Sequence, residues 1–173
     1  MKNSKIIYQG PIFTLKQFEL EVNGQTAKRD VLEHAPAVCM LAKLNGKFLF
    51  VKQLRAGIMD YTLELPAGLI DDNELPEETA IRELKEETGY TAEKIIHFYS
   101  LYPVPAYCDE IVHFYYLDNL SESSLPKDWD EDLSIVLLSE NEVKDLLNQV
   151  NSPFDMKTII GLQYYFLNQD KLK

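Results

Sequence analysis

Residues 68–90 read GLIDDNELPEETAIRELKEETGY, and their spacing decides how the rest of the chain is understood. Pro76 suits the first helical position, where its missing N–H costs nothing. Glu77 and Glu78 follow in the first turn, where negative charge is favourable. Gly89 supplies a left-handed stop. At about 100° per residue, Ala80, Ile81 and Leu84 form an apolar stripe facing the core. Glu83, Glu86 and Glu87 fall on the adjoining stripe at i, i+3 and i+4 spacing. Carboxylates crowded this way repel one another and weaken a helix in isolation. A hard divalent cation with oxygen ligands would relieve that repulsion. Arg82, four residues before Glu86, is placed to orient it through a bidentate pair. The segment from Pro66 to Asn73 reads as a turn-rich loop, with Asn73 tolerant of a left-handed conformation.

A solvated acidic helix with Glu/Lys pairing is the plain alternative. It does not explain eight positions fixed together, two of them glycines and one an arginine. Gly68, Glu74, Arg82, Glu83, Leu84, Glu86, Glu87 and Gly89 match, in identity and spacing, the signature of the Nudix hydrolases, which this stretch closely resembles. Tyr90 stands where that signature has an aliphatic residue. The wider run from Leu63 to Asp72 is similar to the ADP-ribose (ADP-sugar) pyrophosphatase branch of the family. Pro105 lies fifteen residues after the signature, as in that branch, and Pro105–Glu110 resembles its Pro-Gly-x-x-Asp-Glu loop, with Ala106 replacing glycine.

The resemblance spans roughly Gly10 to Leu167 and implies an α/β/α sandwich around a mixed β-sheet. It also implies N-terminal antiparallel strands that serve a homodimer. The expected organisation is a single domain, with residues 1–36 as the N-terminal segment and 37–173 as the catalytic core. The implied reaction is metal-dependent hydrolysis of a nucleoside diphosphate linked to another group, ADP-ribose first. Another nucleotide sugar, a nucleotide alcohol such as CDP-choline, or a non-catalytic sensor are the alternatives.

Glu83, Glu86 and Glu87 are the expected metal ligands, and the backbone carbonyl of Ala67 joins them by resemblance. Mg²⁺ is the first choice for carboxylates plus substrate phosphate, and Mn²⁺ fits the same ligands. Glu74 organises the loop or orients Arg82. The resemblance implies a general base on an acidic loop before the last strand, where Glu131 is the choice and Asp130 or Glu110 the alternatives. Arg55 resembles a substrate-contacting arginine, and arginine suits phosphate. Arg29 occupies a similar position, to reach a partner's site or to make a surface ion pair. Glu64 is a candidate for substrate hydroxyls or metal, and Pro105 and Glu110 for substrate. Base-stacking rings are sought among Tyr8, Phe13 and Phe18.

The remaining elements come from turn and pattern signals. Asn23-Gly24 joins strands over 11–22 and 26–34, and Asn45-Gly46 joins strands over 38–44 and 47–54. Further strands are expected at 62–65, 95–102, 111–117 and 134–138, with 119–132 a loop. Ser139 and Glu142 make a capping box for a helix over 140–149, and a last helix runs over 155–168.

The 173 residues carry a net charge of −11, which argues against duplex nucleic acid as partner. A pyrophosphate substrate is compatible only if metal and local cations invert the sign within the site. No run of eighteen apolar residues is present, so no membrane span is expected. No secretory leader is visible, and two cysteines make no disulfide framework. A reducing cytoplasm is the expected compartment. Cys108 has no evident base beside it, and the three histidines show no metal spacing.

Overall fold

The computed structural model describes residues 2–126 and 132–172. Strand β1 covers Lys2–Gln9, β2 Phe13–Val22, β3 Gln25–His34, β4 Ala37–Leu44, β5 Lys47–Arg55, β6 Asp60–Glu64 and β7 Ala67–Leu69. Helix α1 (Pro76–Thr88) follows, then β8 (Tyr90–Leu101), β9 (Val112–Glu122), β10 (Leu133–Leu138), α2 (Glu140–Leu147) and α3 (Met156–Asn168). A 3-10 turn over Gln169–Lys171 ends the described chain.

The main sheet runs β10-β5-β4-β9-β8, with β6 attached to β5 and β7 to β4. Only the β4–β9 pairing is parallel, so the sheet is mixed. Side chains alternate across a strand, and β4 shows how this makes the sandwich. Ala37, Cys39 and Leu41 face one way, into a core closed by Val143 of α2 and Leu162 and Tyr165 of α3. Val38, Met40 and Ala42 face the other way, against Ala80 and Leu84 of α1. β9 divides likewise, Phe114 and Tyr116 on the α3 side, Tyr115 and Leu117 on the α1 side. The chain is therefore the α/β/α sandwich expected.

A separate antiparallel sheet, β1-β2-β3, precedes it. Both Asn-Gly hairpins form, with φ of 52° and 76° at Asn23 and Gly24 and 50° and 80° at Asn45 and Gly46. Asn73 is left-handed at 69°. The Ser139/Glu142 capping box is present.

Four expectations are corrected. Lys2–Gln9, to which no structure was assigned, pairs with β2 as a third strand. Ala67–Leu69, read as loop from its proline and glycine, is a short strand, because it pairs with Ala37–Cys39. β8 begins at Tyr90, immediately after the helix stop, and β9 continues to Glu122, since Tyr90 and Glu122 are cross-strand partners. α2 ends at Leu147 rather than 149. Among the described residues no helix is long and apolar enough to cross a membrane.

Candidate active site

α1 starts at Pro76 and ends at Gly89, whose φ is 76°. Its buried residues are Thr79, Ala80, Leu84, Glu87 and Thr88, so the buried face runs on past Leu84 into Glu87. That glutamate is 2% exposed, and its Oε2 accepts a hydrogen bond from Ala67 N at 3.1 Å. The carboxylate thus locks the helix to β7. Pro66 O in turn accepts from Met40 N at 2.8 Å.

Gly68 lies directly beneath Glu83. A Cβ at position 68 would stand 1.9 Å from Glu83 Cδ, so no other residue fits without displacing the carboxylate. The glycine at this position is required by close approach, not by an unusual backbone angle.

Arg82 ties the carboxylates together. Its Nε and Nη2 donate to the two oxygens of Glu74, each at 2.9 Å. Its Nη1 donates to Glu83 Oε1 at 2.8 Å and Glu86 Oε2 at 2.9 Å, and Nη2 also reaches Leu69 O at 3.1 Å. The bidentate partner is therefore Glu74, which corrects the expected Arg82–Glu86 fork. Two parallel bonds use one edge of the guanidinium, and Glu74 takes the edge formed by Nε and Nη2, leaving Nη1 for Glu83 and Glu86. Glu74 also accepts from Thr79 Oγ1 at 2.7 Å. The Arg82 bonds, with help from Thr79, outweigh the opposing effect of burial and hold its carboxyl at about 2.

A second charged group centres on Glu64. Glu64 is 2% exposed and receives Arg55 Nε at 2.6 Å and Nη2 at 2.5 Å. Lys157 Nζ and Thr62 Oγ1 donate to the same carboxylate. Burial alone would raise the Glu64 pKa, but Arg55, Lys157 and Thr62 outweigh it and hold it at about 2. Lys157 also pairs with Asp155 at 2.5 Å, and burial, which would lower its pKa, is outweighed by Asp155 and Glu64. Glu64 is thus fully engaged with protein cations.

α3 is pinned to the same strand. Leu65 N donates to the buried Thr158 Oγ1 at 2.7 Å, and a Cβ at Gly161 would meet Leu65 Cδ1 at 2.6 Å.

Arg55, Lys157, Arg82, Glu83 and Glu86 line one cleft of about 760 Å³. Glu110 and the apolar Ile12, Val38 and Leu69 complete its rim. The Tyr107–Asp109 backbone is hooked to β3 by Leu32 N to Tyr107 O (2.7 Å) and Asp109 N to Leu32 O (3.1 Å). That brings Glu110 Oε1 to 3.9 Å from His34 Nδ1.

The structure therefore gathers Arg82, Glu83, Glu86, Ala67, Arg55, Lys157 and Glu110 around one space. Glu64 and Glu87 stand behind it, bonded to Arg55 and to the Ala67 amide. Two candidates fall elsewhere. Arg29 is exposed on β3, its Nη1 bonded to Lys28 O at 2.9 Å, and is not among the described residues lining the cleft. Pro105 lines a separate hollow with Tyr102, Tyr107 and Cys108. Glu131 and Asp130 lie outside the described residues. Lys157 went unnoticed in the sequence because nothing local marks it; its partner Glu64 is 93 residues away.

Glu83, Glu86 and the Ala67 carbonyl would offer a hard cation oxygen donors. Gly68 keeps the space around Glu83 free of side-chain carbon. Glu83 and Glu86 are directed by Arg82, and among the described residues no three acidic, histidine or cysteine side chains already converge on one point.

Comparison with known proteins agrees with this architecture. The profile of the NUDIX domain matches residues 33–157. The chain is 38% identical over 167 residues to the ADP-ribose pyrophosphatase of Bacillus subtilis (strain 168), covering 94% of this chain and 90% of that one. It is 36% identical over 171 residues to the methanol dehydrogenase activator of Bacillus methanolicus, covering 96% and 91%. The crystal structure of an ADP compounds hydrolase superposes with a TM-score of 0.83 at 24% identity, over 99% of this chain and 95% of that one, and speaks to the fold. The chain belongs to the Nudix family and is a Nudix hydrolase.

Proposed function

We propose that this enzyme hydrolyses the pyrophosphate bond of ADP-ribose, giving AMP and ribose 5-phosphate, with Mg²⁺ as cofactor and Mn²⁺ as a substitute. The observation that carries the reading is that Arg55 and Lys157 line the same cleft as Glu83 and Glu86. A pyrophosphate needs cations on one side and, through the carboxylates, a metal on the other. This reconciles an anionic substrate with a chain whose net charge is −11.

Each residue then has a task. Arg55 and Lys157 bind phosphate oxygens and are held in register by Glu64. Glu83, Glu86 and the Ala67 carbonyl are the proposed cation ligands, with Glu87 as a further ligand or as the anchor of the Ala67 peptide. A divalent cation bound there neutralises the phosphates and lowers the pKa of a bound water. Arg82 orients Glu83 and Glu86. Glu131 is the proposed general base.

The resemblance to an ADP-ribose pyrophosphatase along almost the whole chain supports this substrate. Ala106, in place of the branch's glycine, keeps a second nucleotide sugar or nucleotide alcohol as the alternative. We further propose a cytoplasmic homodimer without nucleic-acid partners, assembled through β1–β3. Ile6 and Ile7 of β1 and Ile12 beside it are 58%, 49% and 63% exposed, apolar side chains that a partner would cover. Contribution of Arg29 to the partner's site belongs to that dimer.

The test is a Mg²⁺-dependent hydrolysis screen of ADP-ribose, ADP-glucose, GDP-mannose, CDP-choline and 8-oxo-dGTP with the wild type and Glu87→Gln. Preferred turnover of ADP-ribose, lost in the variant, is the expected result. Preference for another member reassigns the substrate, and nucleotide binding without any turnover makes the chain a sensor.

A further inference from the structure

His97 and His113 show no metal spacing along the chain, yet the sheet brings their rings together. β8 and β9 pair antiparallel, and the register shifts by one residue between His97 and Tyr99. The extra residue turns Phe98 and Tyr99 both toward Tyr164 of α3, at 4.1 and 5.0 Å between ring centres. His97 and Ser100 are thereby left together on the other face, as a bulge re-aims side chains. His113 is the cross-strand partner of Ser100 and stands on that face too. Ser100 Oγ lies 2.9 Å from His97 Nε2 and 2.8 Å from His113 Nδ1, so two imidazole nitrogens converge on one oxygen. The two ring centres are 6.1 Å apart, and Tyr115 packs against His97 at 5.2 Å. His97 and Ser100 are exposed and His113 is half-buried.

We propose that His97 and His113 bind a late first-row divalent cation such as Zn²⁺, at a second site separate from the carboxylates of α1. The proposal goes beyond the pyrophosphatase reading and does not depend on it. The Ser100 oxygen marks the place where the ion sits. Zinc takes imidazole nitrogen at about 2.0–2.1 Å, so once the serine side chain swings aside each ring moves in by only about 0.8 Å. The exposed hydroxyl has room to do so. Imidazole suits zinc, nickel and copper, whereas carboxylate and carbonyl oxygens suit magnesium and manganese. The two sites therefore sort ions by ligand chemistry. They are also apart in space. Gly68, beneath Glu83, pairs with Val38, and Val38 pairs with His113. Two strand spacings, about 10 Å, thus separate Gly68 from His113. Two histidines leave coordination positions open to water on the exposed side, unlike a structural zinc closed by four protein ligands. The ion held here exchanges with solution.

The experiment is a calorimetric titration of Zn²⁺ into protein saturated with Mg²⁺, for the wild type, His97→Ala, His113→Ala and Ser100→Ala, with circular dichroism to verify folding. The wild type is expected to take up a Zn²⁺ ion that excess Mg²⁺ does not displace. Either histidine substitution should weaken that uptake about tenfold or more. Ser100→Ala, which removes the hydroxyl and leaves both nitrogens, should retain it. A second measurement needs no variant: Zn²⁺ should move the imidazole NMR signals of His97 and His113 in the wild type. No uptake in excess Mg²⁺, uptake that neither histidine substitution weakens, or imidazole signals that stay in place would each overturn the site, and each leaves the pyrophosphatase reading intact.

Discussion

Gly68 and Glu83 compete for one volume: a Cβ on the glycine would lie 1.9 Å from Glu83 Cδ and 2.2 and 2.3 Å from its two oxygens. Gly68→Ala must therefore push the carboxylate, and with it one arm of the Arg82 network, off its position. The strain is local, so a stability cost of about 1–3 kcal/mol is expected. A displacement near 1 Å is worth about 100-fold in rate. Thermal melts and steady-state kinetics check this, and an alanine enzyme with full kcat would show that the placement of Glu83 is irrelevant.

Arg82 connects Glu74, Glu83 and Glu86, three carboxylates that would otherwise repel. Arg82→Lys keeps the charge and loses the planar fork. Activity is expected to fall about 10- to 100-fold, as for other residues that orient metal ligands, and half-saturation by Mg²⁺ should shift upward. Glu74→Gln leaves an acceptor for Arg82 and should be milder on both measures.

Glu64 anchors Arg55 and Lys157. Its pKa lies at about 2 in the fold against 4.5 ordinarily, so the folded state favours the charged form. The associated stability is complete above about pH 4.5 and disappears as the pH falls through about 2. Glu64→Gln leaves Arg55 without its counter-charge and Lys157 with Asp155 alone, at a cost of about 3 kcal/mol near neutrality. Urea unfolding should show that gap constant from neutrality down to about pH 4.5 and narrowing below it. A gap independent of pH down to the acid limit would mean that shape, not charge, makes Glu64 necessary.

What the sequence disclosed follows from distance along the chain. α1 and its stop were legible because Pro76, the glutamates and Gly89 act within one segment. Both Asn-Gly hairpins were legible because the turn residues encode their own left-handed backbone. Strand β7 was not, since Gly68 belongs in a strand only by pairing with Val38, thirty positions earlier. The pairing of Glu74 with Arg82 was legible, but not its two-pronged form, since the two lie eight residues apart across a loop whose path the pattern does not define. Lys157 was invisible for the same reason, at 93 residues from Glu64. Glu64 is a candidate for substrate or metal from its place before the loop; its burial and its bonds to Arg55, Lys157 and Thr62 come from residues distant in sequence and were not legible.

The proton acceptor is the last assignment to be tested. Glu110 lies in the described cleft, its carboxylate 3.9 Å from His34 Nδ1 and its backbone neighbours bonded to β3. A carboxylate in that position suits substrate binding, and Glu131 is the proposed base. Removing a general base costs about 10²- to 10⁴-fold in rate. Glu131→Gln should therefore lose kcat on that scale, flatten the acid limb of the pH–rate profile and leave Mg²⁺ binding by calorimetry unchanged. Glu110→Gln should raise KM more than it lowers kcat and keep the acid limb. If the limb vanishes instead in Glu110→Gln, the base belongs to the rim of the cleft.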